Sequence, residues 1–135
     1  MTYLFIGENT HDKQSQIATL KAPWTTNPDA LQFDYQVLYG HKLDPKELKK
    51  SLLALPAILE ERLIFIHEVD KLDEHCKTIL LEFILSKPSY AVIILECIAL
   101  PKDDLWGEVR ALAKVHETRK SVKENVFDMT KKMTA

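Results

Sequence analysis

The sequence predicts an α/β domain of three layers with a central parallel sheet. Short, continuously apolar runs at Tyr3–Ile6, Leu63–Ile66 and Tyr90–Leu95 read as strands buried on both faces. The segments between them carry apolar residues at helical spacing behind capping residues. Strands that alternate with helices in this way pair in parallel and are covered by helices on both sides.

The elements follow in chain order. Tyr3–Ile6 is a short strand ended by Gly7. Asp12–Lys21 reads as a helix with Ile17 and Leu20 on one face and Pro23 beyond its end. From Leu31 to Val37, Leu, Phe, Tyr and Val alternate with Gln, Asp and Gln, a period of two that predicts a strand. Asp44-Pro45 opens a helix, with Asp as cap and Pro in the first turn, that carries Leu48, Leu52 and Leu55 on one face. Leu63–Ile66 is expected to be the central strand, being the most uniformly apolar. Asp73 caps a helix bearing Cys76, Ile79, Leu80, Phe83 and Ile84, which ends before Pro88. Tyr90–Leu95 is the fourth strand, and residues 114–117 can add a fifth. The more polar stretch Thr118–Ala135 is expected to hold one helix around Lys123–Met133. The division is thus an α/β domain over 1–118 and a helical tail over 119–135.

Composition bounds the function. A chain of 135 residues is ample for one core, and 46% apolar with 28% charged residues is a globular balance. A net charge of −2 gives no general attraction to nucleic acid or an anionic membrane. Cys76 and Cys97 belong to no CxxC or Cys/His cluster, so both read as reduced core thiols of a cytoplasmic protein. Met1 leads straight into a strand-like run, with no basic segment or apolar h-region of a secretory leader. The longest apolar run, Ala91–Leu95, is far too short to span a bilayer.

Two places invite a nucleotide reading. A phosphate-binding loop is G-x-x-x-x-G-K-[S/T] between a strand and a helix. After the first strand the chain reads Gly7-Glu8-Asn9-Thr10-His11-Asp12-Lys13-Gln14. Gly7 and Lys13 have the required spacing, but Asp12 stands at the second glycine and Gln14 at the Mg-binding hydroxyl. Asp12 would put a carboxylate where polyphosphate sits, and its Cβ hinders a tight glycine loop. The second place is the end of Leu63–Ile66, followed by His67-Glu68-Val69-Asp70-Lys71-Leu72. That has the layout of a strand delivering an acidic pair to a metal and the attacking water, with His67 at the first acidic position. Mg2+ prefers hard oxygen ligands, so imidazole is a poor substitute and His67 reads as a strand-end histidine with an internal partner. Glu68 could act as a base only with a phosphate to act on. His11, His41, His67, His75 and His116 show no paired zinc-ligand spacing, and no GxSxG motif is present. No catalytic residue, cofactor or metal is therefore expected.

These stretches carry a family resemblance. YLFIGEN at the start, LPAILEERLIFI in the middle, HEVDKLDEH with its helix, and AVIILEC together resemble the N-terminal AAA+-like domain of the DNA polymerase III clamp-loader delta subunit. The likeness covers about residues 3–100, and EVDKL with its following helix and strand is also similar to small subunits of eukaryotic clamp loaders. It implies an AAA+/P-loop-like topology with degenerate nucleotide motifs. It implies a subunit that lacks a working ATP site, and partners that are the sliding clamp and the other loader subunits, with DNA met only indirectly. Delta subunits open the clamp with an apolar wedge between the second long helix and the third strand. The matching stretch here is Pro56-Ala57-Ile58-Leu59-Glu60-Glu61-Arg62. Ala57 and Ile58 take the two wedge positions in place of the family's Leu-Phe, Leu55 or Leu59 supplies apolar surface, and Glu60, Glu61 and Arg62 form a polar rim. The residues alone leave it open whether Ile58 and Leu59 finish a helix core instead. Family members are longer, with a small helical domain and a helical collar, whose opening Glu124–Met129 resembles. Two other classes stay open: a nucleotide hydrolase with an aberrant loop, and a receiver- or flavodoxin-like regulatory domain using Glu8, Glu68 and Asp70.

Overall fold

The computed structural model describes residues 1–117. The expected tail over 119–135, its helix and the Glu124–Met129 match lie outside the described residues. The elements are β1 (Thr2–Ile6), α1 (His11–Thr25), α2 (Pro28–Phe33), β2 (Tyr35–Tyr39), α3 (Pro45–Leu53), β3 (Arg62–His67), α4 (Glu74–Leu85), β4 (Ala91–Cys97), α5 (Asp104–Leu112) and β5 (Lys114–Glu117). Single 3-10 turns follow β2 at Gly40–Lys42 and β3 at Val69–Lys71. The strands pair in parallel throughout, in the order β2-β3-β4-β1-β5.

Strand alternation divides the core into two halves. Ile64 and Ile66 of β3 and Ile93 and Leu95 of β4 meet Leu48 and Leu52 of α3, Leu80 and Phe83 of α4, and Trp106 of α5. Leu63, Phe65, Val92 and Ile94 point to the other side, where Ile17 and Trp24 of α1 and Ala30 of α2 cover them. The three layers and the parallel sheet are as the apolar runs predict.

Five details differ from the sequence expectation. The middle strand is β4, not Leu63–Ile66; all seven of its residues are buried. Glu96 interrupts its apolar run and hides its rank, and that charge is neutralised inside the fold. Leu31–Phe33 belong to helix α2: the Asn27 side chain accepts from Asp29 and Ala30 N–H, Pro28 sits in the first turn, and this cap overrides the alternation. Helix α1 runs through Pro23 to Thr25. Pro23 faces solvent, where water can satisfy the freed carbonyl one turn back, while buried Trp24 anchors the last turn by donating to the Glu61 carbonyl at 3.0 Å. Helix α5, capped by Asp103 accepting from Trp106 N–H at 2.9 Å, has no counterpart among the expected elements. Leu55 lies beyond the end of α3 rather than on its apolar face. No helix among the described residues is long and apolar enough to cross a membrane.

Candidate functional site

The carboxyl ends of β1, β3 and β4 converge where an α/β sheet of this kind receives ligands. β1 stops at Gly7, whose φ of 122° is the left-handed side open to glycine. The chain then turns into α1, with Thr10 capping by accepting from Lys13 N–H at 3.1 Å. Lys13 is fully buried. Its Nζ donates to the Gly7 carbonyl at 2.8 Å, Asn9 Oδ1 at 3.2 Å and Glu96 Oε2 at 2.9 Å, with the Cys97 carbonyl at 3.4 Å. An ammonium has three protons, and here all are engaged inside the protein.

Glu96 completes a three-residue chain. Its other oxygen, Oε1, lies 3.2 Å from His67 Nδ1. Burial pushes the Glu96 carboxyl up, but the hydrogen bonds and charges of His67 and Lys13 outweigh it and hold it below its ordinary value. The His67 ring stacks on Phe65 at 4.2 Å and on Tyr39 at 5.0 Å between centroids. His67 is thus a cross-link between β2, β3 and β4 with an internal partner. Glu68, just past β3, adopts a left-handed φ of 54° and pairs with His41.

Asp12 corrects the sequence argument. Its carboxylate does not face the loop; it is largely exposed and lies 3.1 Å from His116 Nε2 on β5. What engages the Lys13 side chain is the Glu96 carboxylate, a residue 83 positions away that no local motif contains. Beside this cluster a cleft of about 910 Å3 opens between Gly7, Lys102, Trp106 and Arg110. Acidic Glu8, Asp103 and Glu117 share its lining, so it presents no uniform charge to an anion. No group of three or more His, Cys, Asp or Glu placed to hold a metal occurs among the described residues. Both cysteines are buried and unbridged, and burial first of all pushes the Cys76 thiol to about 11 and the Cys97 thiol to about 12.

The second candidate is the loop between α3 and β3. Leu55 is 70% and Ile58 44% exposed, and Ala57 is exposed with them. Leu59 differs: it is half-buried and packs on the α1/α2 side of the core. Arg62 also departs from the expected rim. It is buried, and its guanidinium donates to the Phe33 carbonyl and to Gln36 Oε1. Glu60 is exposed, and Glu61 is half-buried. Leu53, at the end of α3, and Phe33, at the end of α2, are also exposed.

Beneath the loop is a residue that sequence reasoning missed. Asp34, fully buried, accepts backbone N–H bonds from Ala57 at 2.6 Å, Ile58 at 2.8 Å and Leu59 at 2.6 Å. Burial raises its pKa, but these three bonds and the nearby Arg62 charge prevail and lower it overall. The alternation around Asp34 suggested an exposed strand position, so the only available signal was a polar residue between two apolar ones.

Neither a scan of family models nor a search of curated proteins found a match. Solved structures do match. The chain is similar to the DNA clamp loader delta protein of Bacillus subtilis, with a TM-score of 0.73, 16% identity, and 87% of this chain and 38% of that one covered. It is similar to a DNA polymerase III gamma subunit-related protein of Thermotoga maritima, with a TM-score of 0.63, 13% identity, and 92% and 43% covered. The RuvB Holliday junction branch migration motor of the same organism gives 0.60, 16% identity, and 87% and 37%. The expected AAA+-like α/β fold and the likeness to a clamp-loader delta protein are therefore borne out at the level of fold. The chain spans about two fifths of the length of each of these proteins.

Proposed function

We propose that this domain is a non-catalytic, delta-like part of a DNA polymerase III clamp loader, which binds the sliding clamp and helps to open it. The observation that carries the proposal is the solvent-facing apolar loop at Leu55, Ala57 and Ile58, on a fold shared with a clamp loader delta protein. A side chain kept in water at no gain gives about 1.5–3 kcal/mol when a partner's pocket buries it fully. Binding energy is commonly concentrated in a few such anchors. Leu59 contributes by fixing the loop to the core rather than by contact.

The engaged Lys13 supports the non-catalytic part of the reading. A lysine that serves a triphosphate must offer its protons to phosphate oxygens, and this one offers them to Glu96 and the loop itself. The net charge of −2 fits a domain that meets DNA indirectly, through the clamp and the other loader subunits. The test is capture of the sliding clamp from the same organism on immobilised protein. Binding at about 10 µM or tighter is expected; no binding at about 100 µM would end the reading.

A further inference from the structure

We propose that Asp34 is the positioning residue of the 55–59 loop, and that its carboxylate holds Leu55, Ala57 and Ile58 out of the core. Its purpose rests on the clamp-binding reading above; its geometry does not. In extended chain, successive N–H groups point in opposite directions. Here Ala57, Ile58 and Leu59, three in a row, direct their N–H groups to one carboxylate within 2.6–2.8 Å. That requires a concave backbone, a nest closed around an anion.

The curvature sorts the side chains. Leu59 turns inward onto the core, and Ala57 and Ile58 turn out. Without an anion at its centre, a loop with Leu55, Ile58 and Leu59 next to an apolar core would lose by staying open, because collapse removes apolar surface from water. Asp34 is itself held on both sides: its N–H donates to the Ala30 carbonyl at 2.7 Å, and its carbonyl accepts from Leu63 N–H at 2.8 Å. The anion thus sits at a fixed point between α2 and β3. Arg62 commits its two terminal nitrogens to Phe33 and Gln36, which leaves the loop N–H groups to satisfy the carboxylate.

The experiment is amide hydrogen exchange on wild type and Asp34→Asn, with clamp binding measured on both. An amide in place of the carboxylate removes the charge and turns one acceptor into a donor facing N–H groups. Exchange at Ala57, Ile58 and Leu59 is expected to accelerate about tenfold or more while the β4 amides of Ile93–Leu95 stay protected. Clamp affinity should fall about tenfold with it. Unchanged exchange at 57–59 overturns the positioning role. Should Asp34→Asn expose the β4 amides as well, the wild type decides: the N–H resonances of all three residues must shift with a single carboxyl titration in acid, and independent shifts overturn the inference. Wild type that shows the exchange pattern yet never binds the clamp upholds the positioning role and ends the clamp reading instead.

Discussion

The Lys13 ammonium lies 2.9 Å from the Glu96 carboxylate, with Lys13 fully buried. The pair joins the start of α1, within the Gly7–Gln14 stretch, to the end of the central strand β4. Glu96 in turn meets His67 on β3, so one carboxylate links the ends of β3 and β4 to the start of α1.

Nucleotide binding should therefore be absent. Titration with ATP and Mg2+ is expected to give no saturable heat or fluorescence change at submillimolar concentration. Micromolar affinity, or turnover lost on Glu68→Gln, would restore the hydrolase reading. Glu96→Ala leaves a buried ammonium short of its counter-charge, and breaking a buried pair from one side costs about 3–5 kcal/mol. Urea unfolding measures it; a loss below about 1 kcal/mol would mean that water replaces the carboxylate.

Acid should weaken the fold through the same groups. Glu96 and Asp34 both titrate below their ordinary values of 4.5 and 3.8. Below those values the unfolded chain takes up protons that the folded chain refuses, so stability falls as pH falls. Their contribution is complete above about pH 5 and is lost as pH drops through the lower folded values. The urea midpoint should decline from about pH 4.5 downward, and less steeply in Asp34→Asn than in wild type. Equal slopes would show that Asp34 is not held as an anion.

Two glycines should respond in opposite ways. A Cβ on Gly40 would lie 2.0 Å from the Glu68 carbonyl oxygen, a backbone atom that cannot rotate away. Gly40→Ala must separate the turns after β2 and β3, at a cost of about 2–4 kcal/mol. A Cβ on Gly107, inside α5, meets nothing within 4 Å. Gly107→Ala should gain about 0.5–1 kcal/mol from helix propensity. Thermal melts of the two variants on either side of wild type check both.

The layered fold was legible because burial on both faces writes an unbroken apolar run, as in Leu63–Ile66. The strand order was less so. β4 holds the centre with Glu96 in its run, and the distant Lys13 and His67 make that charge compatible with burial. Helix α2 was misread because a cap at Asn27 outweighs alternation over Leu31–Phe33. The loop at 55–59 could be located from its apolar residues beside Pro56, and its exposed members are indeed in solvent. Which of them point outward could not be read, because Asp34 decides it from 23–25 residues away.

The proposed clamp contact gives the sharpest substitution. Ile58 is 44% exposed, and its backbone N–H, not its side chain, makes the bond to Asp34. Ile58→Asp therefore keeps the nest while placing a charge at the tip of the knob. Desolvating an unpaired carboxylate in an apolar pocket costs more than the lost Ile contact alone. Clamp affinity should fall at least about tenfold, equal to about 1.4 kcal/mol. Stability should change by no more than about 0.5 kcal/mol, as for other exposed positions. Leu55→Asp, at 70% exposure, should behave in the same way. Leu59→Asp should instead lower the melting temperature, since Leu59 packs on the core. The three variants separate contact from support. Affinity lost in the first two with the fold intact, and fold lost in the third, is the pattern that a knob carried on an anchored loop requires. Undiminished binding by Ile58→Asp and Leu55→Asp together would move the clamp contact off this loop.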